Sequence, residues 1–148
     1  MKQLRRDSLL RVQLSLVSGT ILAGCAAVPP QVTLFDRLGG LPAISAVVDK
    51  TIDSAARDPR TSRSFKGIKL EGVKESVVTQ LCETTGGPCK YEGASMRKAH
   101  QDLDITAAEF DAFAQQLIAT LGAFNVPVRE KNELLELLAP MKGDIVTK

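Results

Sequence analysis

Apolar residues recur at spacings of three and four along most of this 148-residue chain, and glycine pairs or prolines stand between the successive runs. That spacing places the apolar side chains on one face of an α-helix. No segment alternates convincingly with the period of two that is typical of a half-buried strand. The sequence therefore predicts an all-α fold made of short helices and tight turns.

The residues at the ends of these apolar runs predict where the helices begin and end. Pro42 and Pro127 suit the first turn of a helix, where the missing N–H of proline costs nothing. Thr106 and Glu109 have the spacing of a capping box, which satisfies exposed N–H groups at a helix start. Asp58-Pro59 and Gly86-Gly87-Pro88 are typical helix stops. The expected helical segments are 34–40, 42–58, 70–86, 106–124 and 127–145.

The first 24 residues predict a signal peptide. Basic residues at the start precede an apolar stretch over 12–21, which is too short to span a bilayer as a mature helix. The stretch ends in Leu22-Ala23-Gly24-Cys25, which resembles the lipobox of bacterial lipoproteins and predicts a lipid on Cys25. An ordinary secretory signal with a chance cysteine is the alternative, and both the general secretory (Sec) route and the twin-arginine route stay open.

The predicted organisation is therefore a signal peptide (1–24), a lipidated Cys25 with a short tether (25–33) and one domain (34–146). Cleavage before Cys25 leaves 15 basic and 16 acidic residues of the original 19 and 17, a formal charge of −1. Without a basic patch and interleaved aromatic residues, nucleic acid is not an expected partner. We expect the domain to face the periplasm from a membrane anchor. The outer membrane is slightly favoured, because Ala26 is not the aspartate that often retains lipoproteins at the inner membrane.

His100 is the only histidine of the chain. A lone histidine in a helical stretch is most often an ordinary residue, but imidazole is also the usual protein ligand of haem iron. The surrounding motifs, taken in order, resemble the group 1 truncated haemoglobins over essentially the whole of 34–146. This resemblance implies a two-over-two helical sandwich around haem b. The motifs are Leu34-Phe35-x-Arg37-Leu38-Gly39-Gly40, Asp58-Pro59-Arg60, Gly86-Gly87-Pro88, Tyr91-x-Gly93 and Met96-Arg97-x-x-His100.

The resemblance also implies roles for individual residues. His100 matches the proximal iron ligand, and Phe65 matches the phenylalanine that wedges against the haem face. Arg97 falls where a basic residue often meets a propionate. Lys69 and Lys74 are candidates for the other propionate, with two solvated lysines as the equal alternative. The other expected haem contacts are Val73, Val77, Leu81, Tyr91, Met96, Ile105, Phe110, Phe113 and Leu117.

The expected distal side, opposite His100, departs from the pattern of oxygen-avid family members. Those members hold oxygen with a tyrosine at the position that Ile52 occupies here, assisted by polar residues where this chain has Val73 and Val77. Thr51 and Ser76 carry the nearby hydroxyls in the sequence. An apolar distal wall argues against slow-release oxygen storage and weakens the case for nitric oxide dioxygenation. It suits carbon monoxide, nitric oxide or an outer-sphere redox role.

Cys82 and Cys89 flank the Gly-Gly-Pro turn with six residues between them. In an oxidising compartment the pair can form a disulfide, which we favour over two buried thiols or a redox-sensing pair. Zinc is not expected, since two cysteines and one remote histidine lack the grouped spacing of known sites.

The leading functional hypothesis is an envelope-tethered haem-b globin that binds oxygen, nitric oxide or carbon monoxide at an open sixth position. The sequence contains no acid–base pair that favours a particular reaction. Nitric oxide dioxygenation and peroxidase-like turnover therefore both stay open as activities. The alternative is an electron-transfer or haem-handling lipoprotein with an unknown electron donor. A haem-free helical interaction module is the third hypothesis, and the presence of both His100 and Phe65 counts against it.

Overall fold

A computed structural model describes residues 31–148, so the predicted signal peptide, Cys25 and most of the tether lie outside the described residues. Within 31–148 every regular element is a helix, which confirms the all-α prediction. The helices are α1 (Leu34–Arg37), α2 (Gly40–Arg57), α3 (Leu70–Thr84), α4 (Met96–His100), α5 (Ala107–Ala123), α6 (Val128–Leu138) and α7 (Lys142–Ile145). Two 3₁₀ turns, Ser62–Phe65 and Ala139–Met141, complete the set.

A glycine pair makes the sharp turn between α1 and α2. Gly39 has φ 98° and Gly40 has φ 69°, a left-handed backbone that side chains with a Cβ rarely adopt. A Cβ on Gly39 would also lie 2.9 Å from the Cβ of Ala43. Only glycine at position 39 therefore allows α1 to fold back so closely on the start of α2.

The long helix α2 forms the centre of the domain. It packs against α3 on one side and α5 on another. Its apolar stripe is buried at the spacing that the sequence predicts, and Ala55 is completely inaccessible to solvent. The core comprises Leu34, Ile44, Val47, Val48, Ile52, Leu81, Leu117, Leu121 and Leu134.

The capping box predicted at the start of α5 is confirmed. The side chain of Thr106 accepts from the Glu109 backbone N–H, and the Glu109 carboxylate accepts from the Thr106 backbone N–H. The apolar face of α5 ends earlier than predicted. Phe124 is the C-cap residue and is 45% exposed, so the buried stripe stops at Leu121.

The prediction of one continuous last helix over 127–145 is wrong. Helix α6 ends at Leu138, the 3₁₀ turn Ala139–Met141 follows, and α7 is a separate short helix. Pro140 explains the break, because proline has no N–H to donate and its ring clashes with the preceding turn of an α-helix. Among the described residues, no helix has the length and apolar character needed to cross a membrane.

Candidate functional site

Helices α3 and α4 are the two walls of the candidate site. Helix α3 packs on α2, and α4 packs on α7, but α3 and α4 do not pack closely on each other. Only Leu81 and Cys82 of α3 are buried, whereas Val73, Val77 and Val78 are half-buried. Part of the apolar surface of α3 is therefore left uncovered by residues 31–148. A flat apolar group between the two helices would cover it.

His100 is the last residue of α4 and is half-buried. Its Nδ1 lies 2.7 Å from the carbonyl oxygen of Met96. Because a carbonyl oxygen only accepts, Nδ1 carries a proton, and in the neutral imidazole Nε2 then keeps its lone pair. This tautomer, with the ring held by a backbone carbonyl, is the form in which a histidine ligates a metal through Nε2. The donor chemistry at His100 therefore fits an iron ligand.

Phe65 closes the 3₁₀ turn Ser62–Phe65 and is half-buried against the core. An open cleft of about 520 Å³ runs beside its ring. A volume in this range is typical of sites for small organic ligands. The cleft is lined by Ala56, Ser62, Arg63, Phe65, Lys66, Ile68 and Leu70.

Arg63 is an anchoring residue that the sequence analysis did not identify. Its guanidinium donates to both carboxylate oxygens of Glu109 at 2.9 Å. It also donates to the carbonyl oxygens of Leu103 and Asp104 at 3.0 and 3.1 Å. Arg63 thereby ties the 3₁₀ turn that carries Phe65 to the loop that follows His100. No local sequence pattern signals this, because the partners lie 40 or more positions away.

Gln80 of α3 is a second residue that sequence reasoning missed. Its half-buried amide Nε2 lies 3.4 Å from Met96 Sδ and 3.5 Å from Met141 Sδ. Thioether sulfur is a weak acceptor and an adaptable packing group. The contact therefore joins α3 to the start of α4 and to the C-terminal segment. It also places Met96 at the junction of the two walls.

The expected distal residues sit in the core of the domain. Ile52 and Thr51 are each 2% exposed, and Leu81 and Leu117 are buried near them in the same cluster. The hydroxyl Oγ1 of Thr51 has no hydrogen-bond partner among the described residues. A buried hydroxyl without a partner costs free energy. Thr51 is thus a buried, unsatisfied donor, and its place beside Val73 and Val77 in a distal wall stays a prediction.

The structure argues against the propionate role expected for Lys74. Its Nζ is 3.0 Å from Asp53 Oδ1, with Glu71 and Asp49 at 3.5 and 3.8 Å. The hydrogen bond to Asp53 raises the pKa of Lys74. This ammonium is already neutralised by carboxylates, mainly from α2, so it is a structural ion pair. Of the two lysines, Lys69, the exposed N-cap residue of α3, stays the candidate for contact with a haem propionate.

Arg97 and Tyr91 also have local partners. Arg97 is exposed on α4 and pairs with Asp144 of α7 at 2.5 Å. The hydroxyl of Tyr91 donates to the carbonyl oxygen of Ala94 at 2.8 Å. The ring of Tyr91 covers Gly93, where a Cβ would lie 2.5 Å from it. Both residues shape the approach to α4, and their contacts with haem stay predictions.

The remaining expected haem contacts lie on α5 or just before it. Ile105 is buried, and its backbone holds the C-terminus through hydrogen bonds with Thr147. Phe113 is half-buried against the core, and Leu117 belongs to it. Phe110 lies beneath the ammonium of Lys142, 5.3 Å from the ring centroid. The structure thus places Phe110 towards the surface of this group.

A disulfide joins Cys82 to Cys89, with an S–S distance of 1.99 Å and a Cα–Cα distance of 5.7 Å. It connects the end of α3 with the segment that leads to α4. The turn between them is crowded, since a Cβ on Gly87 would lie 2.5 Å from Phe35 Cδ2 and 2.8 Å from the Cys82 carbonyl oxygen. The two walls of the candidate site are therefore covalently linked at one end.

A separate apolar cavity of about 90 Å³ shares no lining residue with the cleft beside Phe65. Its lining reaches Leu81 and Val47, one helical turn from Val77 and Thr51. The lining residues are Leu38, Ala43, Ile44, Val47, Leu81, Thr85, Leu121, Phe124, Val126 and Leu134. Over residues 31–148, no group of three His, Cys, Asp or Glu side chains is arranged to hold a metal ion.

Comparison with known proteins agrees with this architecture. Residues 33–147 match the family model described as bacterial-like globin. The chain is 32% identical over 115 residues to a group 1 truncated hemoglobin of Mycolicibacterium paratuberculosis, covering 78% of this chain and 85% of that protein. It is also 32% identical over 116 residues to the group 1 truncated hemoglobin of a Nostoc species, covering 78% and 98%.

Solved structures show the same fold. The truncated hemoglobin of Tetrahymena pyriformis in its Fe(III) form superposes with a TM-score of 0.75 at 27% identity, over 79% of this chain and all of that one. The 2/2 hemoglobin of Synechococcus sp. PCC 7002, with covalently attached heme, gives 0.75 at 28% identity over the same shares. The two-over-two helical sandwich is thereby confirmed, and the chain belongs to the bacterial-like globins as a group 1 truncated haemoglobin.

Proposed function

We propose that this protein binds haem b through Nε2 of His100 and takes up a diatomic gas on the opposite face of the haem. The observation that carries the proposal is the hydrogen bond from His100 Nδ1 to the carbonyl of Met96, whose side chain contacts Gln80 of α3. Bound haem supplies an iron atom that accepts one imidazole and leaves a sixth position for a gas. The residues of the chain hold the imidazole in position and shape the space in which the gas binds.

On the proximal side, the task of the protein is to hold the imidazole in position. Met96 fixes the tautomer of His100, Gln80 fixes Met96, and the disulfide and Arg63 tie down the segments on either side of α4. Phe65, half-buried at the end of its 3₁₀ turn, would pack against the face of the bound haem. Since α4 has only five residues, these outside contacts replace the support that a longer helix would give.

On the distal side, the apolar wall decides which gas is favoured. The side chains of Ile52, Val73 and Val77 have no group that can donate a hydrogen bond. Thr51, which precedes Ile52, has a buried hydroxyl without a partner among residues 31–148. Oxygen binding depends more on such a donor than the binding of carbon monoxide or nitric oxide does. The site therefore suits rapid exchange of oxygen, or capture of nitric oxide, better than oxygen storage.

The second candidate function is electron transfer or haem handling with incidental gas binding. The same apolar distal wall favours it, because a site without a distal donor leaves bound oxygen unprotected. In either case we propose that the domain faces the periplasm from a lipid on Cys25. This part rests on the sequence of residues 22–25, which lie outside the described structure.

The test is an optical spectrum of the mature full-length protein, purified from membranes with haem available and then reduced under carbon monoxide. A sharp, shifted Soret band would support a histidine-ligated haem with an accessible sixth position. A folded helical protein that takes up no haem would overturn the proposal. Autoxidation within minutes at neutral pH would favour the electron-transfer candidate over oxygen carriage.

A further inference from the structure

Three exposed apolar side chains lie on the segments that line the 90 Å³ cavity, and we call them the rim: Leu41, Phe124 and Val128. They are 41%, 45% and 66% exposed. Phe124 lines the cavity and is exposed, so the cavity reaches the surface there. Leu41 lies between the lining residues Leu38 and Ala43, and Val128 is two residues after the lining residue Val126. The rim thus comes from the same segments as the cavity wall.

The proposed tether enters the domain beside this cavity. The backbone N–H of Phe35 donates to the carbonyl oxygen of Thr85 at 2.9 Å, and Thr85 is part of the cavity wall. Leu38, another lining residue, is the C-cap of α1, only four residues from the start of that helix. The point at which the chain leaves the domain towards Cys25 is therefore close to the rim.

The tether is short. Seven residues lie between Cys25 and Thr33 in the sequence, and the eight Cα–Cα steps of a fully extended chain span at most about 28 Å. A lipid on Cys25 would hold the start of α1 within that distance of the bilayer. Such a tether raises the effective concentration of the rim at the membrane surface, so a weak apolar contact is enough to orient the domain.

Arg37 of α1 offsets part of the negative charge of α6, the helix that carries Val128. Glu130 and Glu133 of α6 face Arg37, with Arg37 Nη2 2.5 Å from Glu133 and Nε 3.8 Å from Glu130. One guanidinium balances one of the two carboxylates, so a net charge of −1 remains on this group. The surface there presents exposed apolar side chains, which favour the boundary between lipid headgroups and acyl chains.

We propose that the rim rests on the lipid bilayer to which the protein is tethered, so that the apolar cavity opens towards hydrocarbon and not towards water. The proposal rests on the lipid anchor and gas-binding role given above. Oxygen, nitric oxide and carbon monoxide are small and apolar, and they dissolve better in hydrocarbon than in water. A cavity that opens into the bilayer would therefore draw its ligand from the phase in which the gas is more concentrated.

The experiment uses the lipidated, haem-loaded protein in vesicles of phosphatidylethanolamine and phosphatidylglycerol. The photocrosslinking residue p-benzoylphenylalanine replaces Phe124 in one variant and Ile118 in the control. Ile118 is 41% exposed on the same helix, but six residues away and thus about 120° around the helix axis. After irradiation, lipid adducts are measured by mass spectrometry. We expect several-fold more adduct at position 124 than at position 118, and less at 124 when Val128→Glu is added.

Equal yields at the two positions, or no adduct at either, would overturn the proposed orientation. Flotation of the protein with the vesicles reports the lipid anchor separately. A protein that does not float has no lipid anchor, and the proposed membrane contact would then be wrong because it depends on that anchor. The Soret band reports the haem independently of both. If the vesicle-bound protein crosslinks at position 124 but shows no Soret band, the proposed membrane contact of the rim is supported and the proposed haem binding is rejected.

Discussion

Nδ1 of His100 lies 2.7 Å from the carbonyl oxygen of Met96, one helical turn earlier in the same five-residue helix. The bond fixes the ring orientation and the position of its proton at once. Gln80 reaches across from α3 to the sulfur of Met96. The orientation of the single histidine is thus coupled to the opposite wall of the site.

Replacing the imidazole should separate ligation from folding. In His100→Gly, we expect the Soret band of the histidine-ligated haem to be lost while the helical circular dichroism signal persists. Free imidazole should restore the band, because it can occupy the space that the ring leaves. A matched change at the exposed neighbour, Lys98→Gly, should leave the spectrum unchanged. Haem spectra that are the same in His100→Gly and the native protein would reject the ligand assignment.

Adding a distal donor should slow the release of oxygen. Ile52 is almost completely buried and occupies the position expected to face the bound gas, so we expect a tyrosine there to present a phenol to it. A hydrogen bond to a charged group contributes about 1.5–3 kcal/mol, which corresponds to one to two powers of ten in rate. Stopped-flow oxygen dissociation from Ile52→Tyr should therefore be slower than from Ile52→Phe. The phenylalanine variant controls for the added bulk, and equal rates would place position 52 away from the ligand.

The disulfide between Cys82 and Cys89 should stabilise the native state by restricting the unfolded chain. For a loop of this length, chain entropy gives about 2.5 kcal/mol. Urea unfolding of the double variant Cys82→Ala/Cys89→Ala should show a loss of about this size. Treatment with a dithiol reductant should produce a similar loss in the native protein and none in the double variant. If the reductant left the native midpoint unchanged, the two thiols would not be bonded in the purified protein.

Gly87 should tolerate no side chain. A Cβ there would meet Phe35, Cys82 Sγ and the Cys82 backbone within 2.8 Å, so Gly87→Ala should destabilise the fold by about 1–3 kcal/mol. Gly122 on α5 is the matched control, since nothing lies within 4 Å of its Cβ position. Gly122→Ala should be neutral or stabilising by up to about 1 kcal/mol, because alanine favours helix over glycine. Thermal unfolding of both variants provides the comparison.

Glu109 should make stability depend on acid pH. Hydrogen bonds from the Thr106 backbone, the Thr106 hydroxyl and Arg63 lower the pKa of Glu109 from its ordinary value of 4.5, against an opposing effect of burial. The stabilisation is therefore complete above the pKa of the unfolded chain and disappears as the pH falls through the lowered pKa of the folded state. Glu109→Gln should reduce stability at pH 7 and flatten its decline in acid.

The control for this prediction is Glu136→Gln, which removes an exposed carboxylate from α6. Its acid profile should follow that of the native protein. Denaturant unfolding at a series of pH values between about 2 and 7 covers the window in which carboxylates titrate. If Glu109→Gln and the native protein lost stability in parallel, the capping box and Arg63 would not act through the charge of Glu109.

The sequence predicted the local features of the fold well. Thr106 with Glu109, the stop at Asp58-Pro59 and the glycine pair at 39–40 act within a few residues, so their patterns are readable in the chain. The last helix was predicted without its break, although Pro140 was visible. A proline stop competes there with an apolar spacing that continues to Ile145, and the backbone constraint prevails.

Long-range polar contacts were beyond the reach of sequence patterns. Lys74 matched a position from which a cation can meet a propionate, yet Asp53 on the neighbouring helix holds it. Arg63 looked like an ordinary surface residue, and its partners lie on segments remote in the chain. Periodicity identifies which face of a helix is buried, but it does not identify which charged group lies opposite.

The shortness of α4 bears on how this protein can vary over evolutionary time. Its middle residues, 97–99, are exposed, and the helix is held from outside by Cys89 before it and by the contacts of Arg63 after it. Mutations at 98 and 99 can therefore accumulate without moving the histidine, whereas Arg97 ties α4 to Asp144 of α7. Changes at Arg63 or Cys82, far from His100 in the chain, carry the greater functional penalty, so purifying selection should act on the anchors of the helix more strongly than on its surface.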